Sequence, residues 1–216
     1  LAAPKLTGQV HVGLPEWFTT EKLQSVFYDF VIAHPGVTLD LTIADSVTLH
    51  SMLSSNALNI AIALPPQSGD VPDEFVEEPL IWVTQQNDLA TDPVPLILFQ
   101  EPCPFRNVVF DCLTSAGRYW QERLTTSSVA AAKLAVAAGV GVAALPAGAV
   151  QKGFRVLGGN DGFPNLPSVK LAIYTQSKRQ SDTINYLTDH LTDFLRSSVN
   201  PNTAFSGPVS IDLRAS

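Results

Sequence analysis

Basic charge is scarce in this chain: 13 Lys and Arg stand against 20 Asp and Glu, a net charge of −7. Surfaces that grip nucleic acid are basic, so the balance argues against this piece binding DNA or RNA by itself. Cysteine is nearly missing as well. Two residues, Cys103 and Cys112, are too few for a disulfide framework, and a reduced cytoplasmic setting is the expectation. They lie nine positions apart across a helical pattern. That spacing puts their Cα atoms about 13 Å apart, beyond a disulfide reach of about 7 Å. A redox switch would require the helix to unravel, and quiet thiols are the simpler reading. No apolar run approaches the roughly 20 residues needed to span a bilayer. The N-terminus has no charged segment followed by an apolar one, so no signal peptide is read, and the lack of an initiator Met suggests a processed or excised piece.

Catalytic signatures are also lacking. There is no Gly-x-Ser-x-Gly elbow and no Walker A sequence. Gly139-Val-Gly141 resembles half of a dinucleotide fingerprint but ends a helix and precedes a strand, which is the signature of a C-cap. His11, His34, His50 and His190 have no metal-ligand spacing. No two carboxylates are spaced as an acid–base couple, and no nucleophile has a base. The chain therefore reads as no enzyme, with no cofactor and no metal.

What the chain does carry is alternation. Strand patterns over 9–13, 37–43 and 58–64 are separated by helical ones over 17–33 and from Asp45-Ser46 onward. The first helix shows apolar spacing at Leu23, Val26, Phe27, Phe30 and Val31. The run 58–64 is continuously apolar, as in a strand covered on both faces, and β-α-β-α-β order implies parallel pairing. A strand over 77–84 follows, and the polar, proline-bearing stretch 86–95 marks a boundary. A second unit then runs strand 96–99, helix 104–115, strand 119–124, helix 128–138, strand 140–145 and strand 154–157. Strand 169–175 and an amphipathic helix over 182–195 close the pattern, and residues from about 200 trail without a period.

Ligands of open α/β sheets bind beyond the carboxyl ends of the strands, where helix N-termini present unpaired N–H groups. Four turns fit that place: 14–19, 44–47, 100–106 and 125–128. The last opens the segment Thr125 to Pro146, in which hydroxyl residues start an alanine-rich helix that a glycine ends. Glu16 and Glu101 fall at two of these turns. A carboxylate at a helix start is most simply dipole compensation, with ligand contact the alternative.

The chain resembles the effector-binding domain of LysR-type bacterial transcription regulators from about Thr7 to Arg196. The marks are Gly8-Gln-Val-His-Val-Gly-Leu-Pro15, His34-Pro-Gly-Val-Thr-Leu-Asp-Leu41, Leu53-Ser-Ser-Asn-Ala-Leu-Asn-Ile-Ala-Ile62, Cys103-Pro-Phe-Arg106, Gly117-Arg-Tyr-Trp120 and the segment from Ser128 to Pro146. Leu-Pro after the first strand is similar to a branch that includes regulators of motility and virulence. The family usually has Gly and Asp where this chain has Asn56 and Asn59.

The resemblance implies an α/β, type-2 periplasmic-binding-protein-like fold with two subdomains joined by two crossover segments around a cleft. Subdomain I is expected over 8–93 plus 168–199, subdomain II over 94–167 and a tail over 200–216, with an N-terminal helix-turn-helix domain absent. It implies a small-molecule effector, a small organic acid or aromatic compound, held by Pro15, Glu16, Trp17, Ser46, Leu64, Gln100, Glu101, Thr126 and Ser128. Leu64 and the prolines after it supply no basic side chain, while Trp17 and Phe99 favour a ligand with apolar surface. It further implies homodimers or homotetramers, pairing the segments 19–33 and 37–43 of one protomer with 128–138 of its partner; Ala130, Ala131, Leu134 and Ala135 suit such a surface and an intramolecular core equally well. DNA would be reached only through the missing domain. Cleft closure about 86–95 and 164–167 would alter the dimer surface, since an effector acts through unequal affinity for two arrangements. A free-standing solute-binding protein of a transport system would share the fold and is the alternative.

Overall fold

The computed structural model describes residues 6–18, 21–66, 72, 75–86, 92–176 and 181–198. Three parallel strands open the chain: β1 (Gly8–Leu14), β2 (Val37–Ile43) and β3 (Ile60–Ala63), connected by α1 (Glu21–Ala33) and α2 (Ser46–Ser54). The run predicted as doubly covered is so. Ile60 and Ile62 join the main core with Leu187 and Leu191, while Ala61 and Ala63 face Leu49 and Leu58 on the other side. A period-two strand with no polar position has no face left for solvent. In α1, Leu23, Phe27 and Phe30 are buried as their spacing requires, but Val31 is exposed.

The remaining elements are β4 (Phe75–Thr84), β5 (Val94–Phe99), α3 (Pro104–Ser115), β6 (Trp120–Thr126), α4 (Val129–Ala137), β7 (Ala143–Pro146), β8 (Arg155–Leu157), β9 (Ser168–Thr175) and α5 (Asp182–Ser198). The first half is ordered β2-β1-β3-β9-β4, with β9 antiparallel to both of its neighbours. In the second half β6 pairs with β5 in parallel, and β4 lies between β7 and β8. Ile97 N donates to Val142 O and Val142 N to Pro95 O, both at 2.8 Å, which stitches β5 beside β7.

Strand β4 belongs to both halves. Phe75–Pro79 pairs with β9, and Leu80 onward pairs with β7 and β8. The change of partner thus falls at Pro79–Leu80, ahead of the boundary expected at 93/94. Nor is 86–95 wholly a linker, because Val94 and Pro95 are the first residues of β5. The polar stretch marks where a strand ends; a switch of partners inside a continuous ten-residue strand leaves no such mark. Residues 87–91 of that stretch, and the tail from 200, lie outside the described residues.

Candidate functional site

Parallel pairing fixes where the turns emerge. The carboxyl ends of β1, β2 and β3 share one edge, so Pro15, Glu16, Trp17, Ser46 and Leu64 gather there. Likewise β5 and β6 end together, bringing Gln100 and Glu101 beside Thr126 and Ser128, with Gln100 N donating to Thr126 O at 3.0 Å.

A carboxylate bridges the two edges. Glu16 opens the 3-10 turn Glu16–Phe18 of the first half, and its carboxylate caps the start of α4 in the second. Oε2 accepts from Val129 N at 2.8 Å, Oε1 accepts from Ala130 N at 3.0 Å, and Ser128 Oγ donates to Oε1 at 3.2 Å. The first turn of a helix has N–H groups without intrahelical partners and a partial positive charge, both of which favour a carboxylate. Ser128 is also the N-cap: its Oγ accepts from Ala131 N at 3.3 Å, and Thr126 Oγ1 accepts from Ser128 N at 3.1 Å. Trp17 is 8% exposed, and its ring meets Phe18 at 5.7 Å and Phe105 of α3 at 6.4 Å, edge to face. Phe99 also packs on Phe105. These rings pack together in the core between the halves.

Around α2 the hydrogen bonds are equally specific. Asp45 caps the helix, its Oδ1 accepting from Thr48 N at 2.9 Å and its Oδ2 from the Thr48 hydroxyl. Partial burial pushes this carboxyl up, but the Thr48 bonds outweigh it and hold it below its ordinary value. Ser46 Oγ accepts from Leu64 N at 3.0 Å, and His50 Nε2 donates to Leu64 O at 2.8 Å. Leu64 itself is 7% exposed, so its side chain belongs to the core.

A family description for the LysR substrate binding domain matches residues 4–196. The chain belongs to the LysR substrate-binding domain family. It is 25% identical over 188 residues to the HTH-type transcriptional regulator PecT of Dickeya dadantii, covering 85% of this chain and 57% of that protein. To the regulator DgdR of Burkholderia cepacia it is 24% identical over 193 residues, covering 88% and 66%. The chain therefore spans between about half and two thirds of these relatives. Among solved structures, the effector binding domain of QuiR in complex with shikimate has a TM-score of 0.71 at 15% identity, over 89% of this chain and 99% of that one. That likeness shows the fold, α/β and periplasmic-binding-protein-like. Membership favours a LysR regulatory domain over a solute-binding protein or an enzyme.

The two departures from the LysR pattern are conservative in geometry. Asn56 has φ of 62°, the left-handed region that Asn tolerates better than most residues, so it stands in for Gly. Asn59 Oδ1 accepts from His11 N at 2.8 Å, a bond a carboxylate oxygen would make equally well.

Other features of the domain escaped sequence reasoning. Arg106, quoted only as part of a motif, donates to Phe99 O at 3.1 Å and Glu122 Oε2 at 2.9 Å and lies 3.7 Å from Glu101. Its guanidinium stands near the carboxyl end of β5, already paired with Glu122 and close to Glu101. Glu78 sits on β4 beside Gly148; burial pushes its carboxyl up, and the Gly148 N–H offsets this only in part. Tyr174, edge-on to His50, has a buried hydroxyl without a hydrogen-bond partner. Burial is also the first cause that pushes the Cys103 and Cys112 thiols up, leaving both poorly ionised. Among the described residues no group of three His, Cys, Asp or Glu could hold a metal, and no helix is long and apolar enough to cross a membrane.

Proposed function

We propose that this chain is the sensing part of a cytoplasmic LysR-type regulator and binds a small molecule between the carboxyl edges of its two halves. Pro15, Glu16, Trp17, Ser46 and Leu64 form the first wall, and Gln100, Glu101, Thr126 and Ser128 the second. The observation that carries the reading is the convergence of Glu16 with Ser128 and the start of α4, from turns 112 positions apart in sequence. Two halves, 8–93 plus 168–199 and 94–167 with β4 shared, rotate about their crossovers on binding. QuiR is solved with shikimate, and a small organic acid or aromatic compound is the class expected here.

Assembly into dimers or tetramers would carry the signal to DNA-binding segments of the whole protein. Exposed apolar side chains on α1 (Tyr28 at 67%, Ile32 at 64%), on β2 (Leu41, Ile43) and on α4 (Leu134 at 72%) support that surface. Ala135, buried at 6%, is spent inside the protomer.

Thermal-shift screening of organic acids, aromatic compounds, amino acids and nucleosides tests the reading. A ligand at 100 times its Kd adds about 2.7 kcal/mol to the native state. Gln100 and Glu101 are exposed, so Gln100→Ala and Glu101→Gln are expected to weaken a hit with little change to the unliganded melting point. Equal affinity in both variants and the parent protein would remove the proposed site.

A further inference from the structure

Strand β2 leaves one edge open. Among the described residues it pairs with β1 alone and stands first in the sheet order. Such an edge is a template for another strand unless Lys, Pro or a bulge blunts it. This one runs Val-Thr-Leu-Asp-Leu-Thr-Ile with a single charge, no Lys, no Pro and an unbroken register. One of its faces is only half covered. Leu39 packs on the main core, whereas Leu41 and Ile43 on the same face are exposed, as are Tyr28 and Ile32 of α1.

The chain carries a segment that fits this edge. Positions 209–214, Val-Ser-Ile-Asp-Leu-Arg, alternate apolar and polar within a stretch that has no period as a whole. Alternation of that kind belongs to a strand with one covered face. The segment lies beyond the described residues, which end with α5 at Ser198. Helix α5 runs against α1: Tyr186 near its start meets His34, just past the end of α1, and Phe194 near its close meets Phe18, just ahead of α1. Phe18 follows β1, whose last residue, Leu14, pairs with Ile43. Thus α5 stops at the end of the sheet where β2 also ends. The ten positions 199–208 reach at most about 33–36 Å, and α1 is about 10–12 Å across.

We propose that residues 209–214 add to the open edge of β2 as an antiparallel strand, with Val209, Ile211 and Leu213 covering Leu41, Ile43 and the exposed side of α1. Entry from the Ile43 end makes the pairing antiparallel. Ser210 and Asp212 then fall on the opposite face, with Thr38, Asp40 and Thr42. A flexible tether of ten residues has a root-mean-square length of about 17 Å, which sets an effective concentration in the millimolar range. A second copy that docks on α1 and β2 has to displace this strand, so the inference adds a check on the assembly surface read above and is independent of the effector site.

Hydrogen exchange at β2 tests it, comparing the full chain with a chain ending at Ser198 over a range of protein concentrations. The outward amides of β2 are expected to exchange at least about tenfold more slowly in the full chain, at every concentration. Synthetic peptide 199–216 added to the shortened chain should restore the protection. Ile211→Asp in the full chain should remove it, and serves if the shortened chain does not fold. Equal exchange in the two chains overturns the proposal, as does protection that falls on β6 instead. Protection that survives loss of the tail and rises with concentration gives the edge to a second copy, which also overturns it. A chain that stays monomeric with β2 protected by the tail supports this inference and removes the assembly reading alone.

Discussion

Removing one oxygen at Ser46 tests how the exit of β3 is held. In Ser46→Ala the Asp45 cap and its bond to Thr48 N at 2.9 Å remain, so the start of α2 is preserved. What disappears is the acceptor for Leu64 N, 3.0 Å away in a residue only 7% exposed. A buried N–H without a partner costs about 1–3 kcal/mol. Alanine, the better helix former, returns about 0.5 kcal/mol. The net expectation is a loss of about 1–2 kcal/mol, and in a domain of this size each kcal/mol lowers the melting temperature by about 2–4 °C. Urea unfolding followed by circular dichroism gives the first number, and hydrogen exchange at the Leu64 amide localises it. Ser46→Thr retains the oxygen and should recover most of the loss. An unchanged midpoint together with unchanged protection at Leu64 would show that the Ser46 oxygen does not hold this strand end.

Two glycines two positions apart fail for different reasons. Gly141→Ala would place a Cβ 2.3 Å from the Pro95 carbonyl oxygen, which the β5–β7 stitch holds in place, so we expect a loss of about 3 kcal/mol or more by chemical denaturation. Gly139→Ala meets no neighbour within 4 Å but must keep φ of +70°, and about 1–2 kcal/mol is expected. Equal losses in the two would refute the distinction. For Glu78, burial raises the folded-state pKa above the unfolded value, so its contribution is fully present below the usual carboxylate range and is lost as pH rises through the folded pKa. Glu78→Gln should therefore melt higher than the parent at pH 7 and show no such gain near pH 4. A gain independent of pH would assign the effect to packing.

Short-range chemistry was well marked in the sequence. Asp45 and Ser128 cap their helices through their own side chains, and Gly139 follows α4 with positive φ, as cap preferences require. The unbroken apolar run that became β3 and the spacing in α5 were equally legible, since burial on two faces or one leaves a period. The placing of the candidate turns was legible, because parallel order alone sends them to shared edges. Partners were not. Glu16 is dipole compensation, as a carboxylate near a helix start suggests, and a helix it caps is α4 of the other half. Trp17 gave no hint that its ring packs on Phe105, because composition does not say which aromatic meets which.

Strand β4 makes the two halves inseparable as fragments. A segment cut at 94–167 would lose the strand between β7 and β8 and leave both as bare edges. A segment ending at 79 would lose β9 from the first sheet and the helix α5 that packs with it. Heating should accordingly give one cooperative transition in calorimetry instead of two. Split expression of the halves should succeed only when β4 is supplied to each.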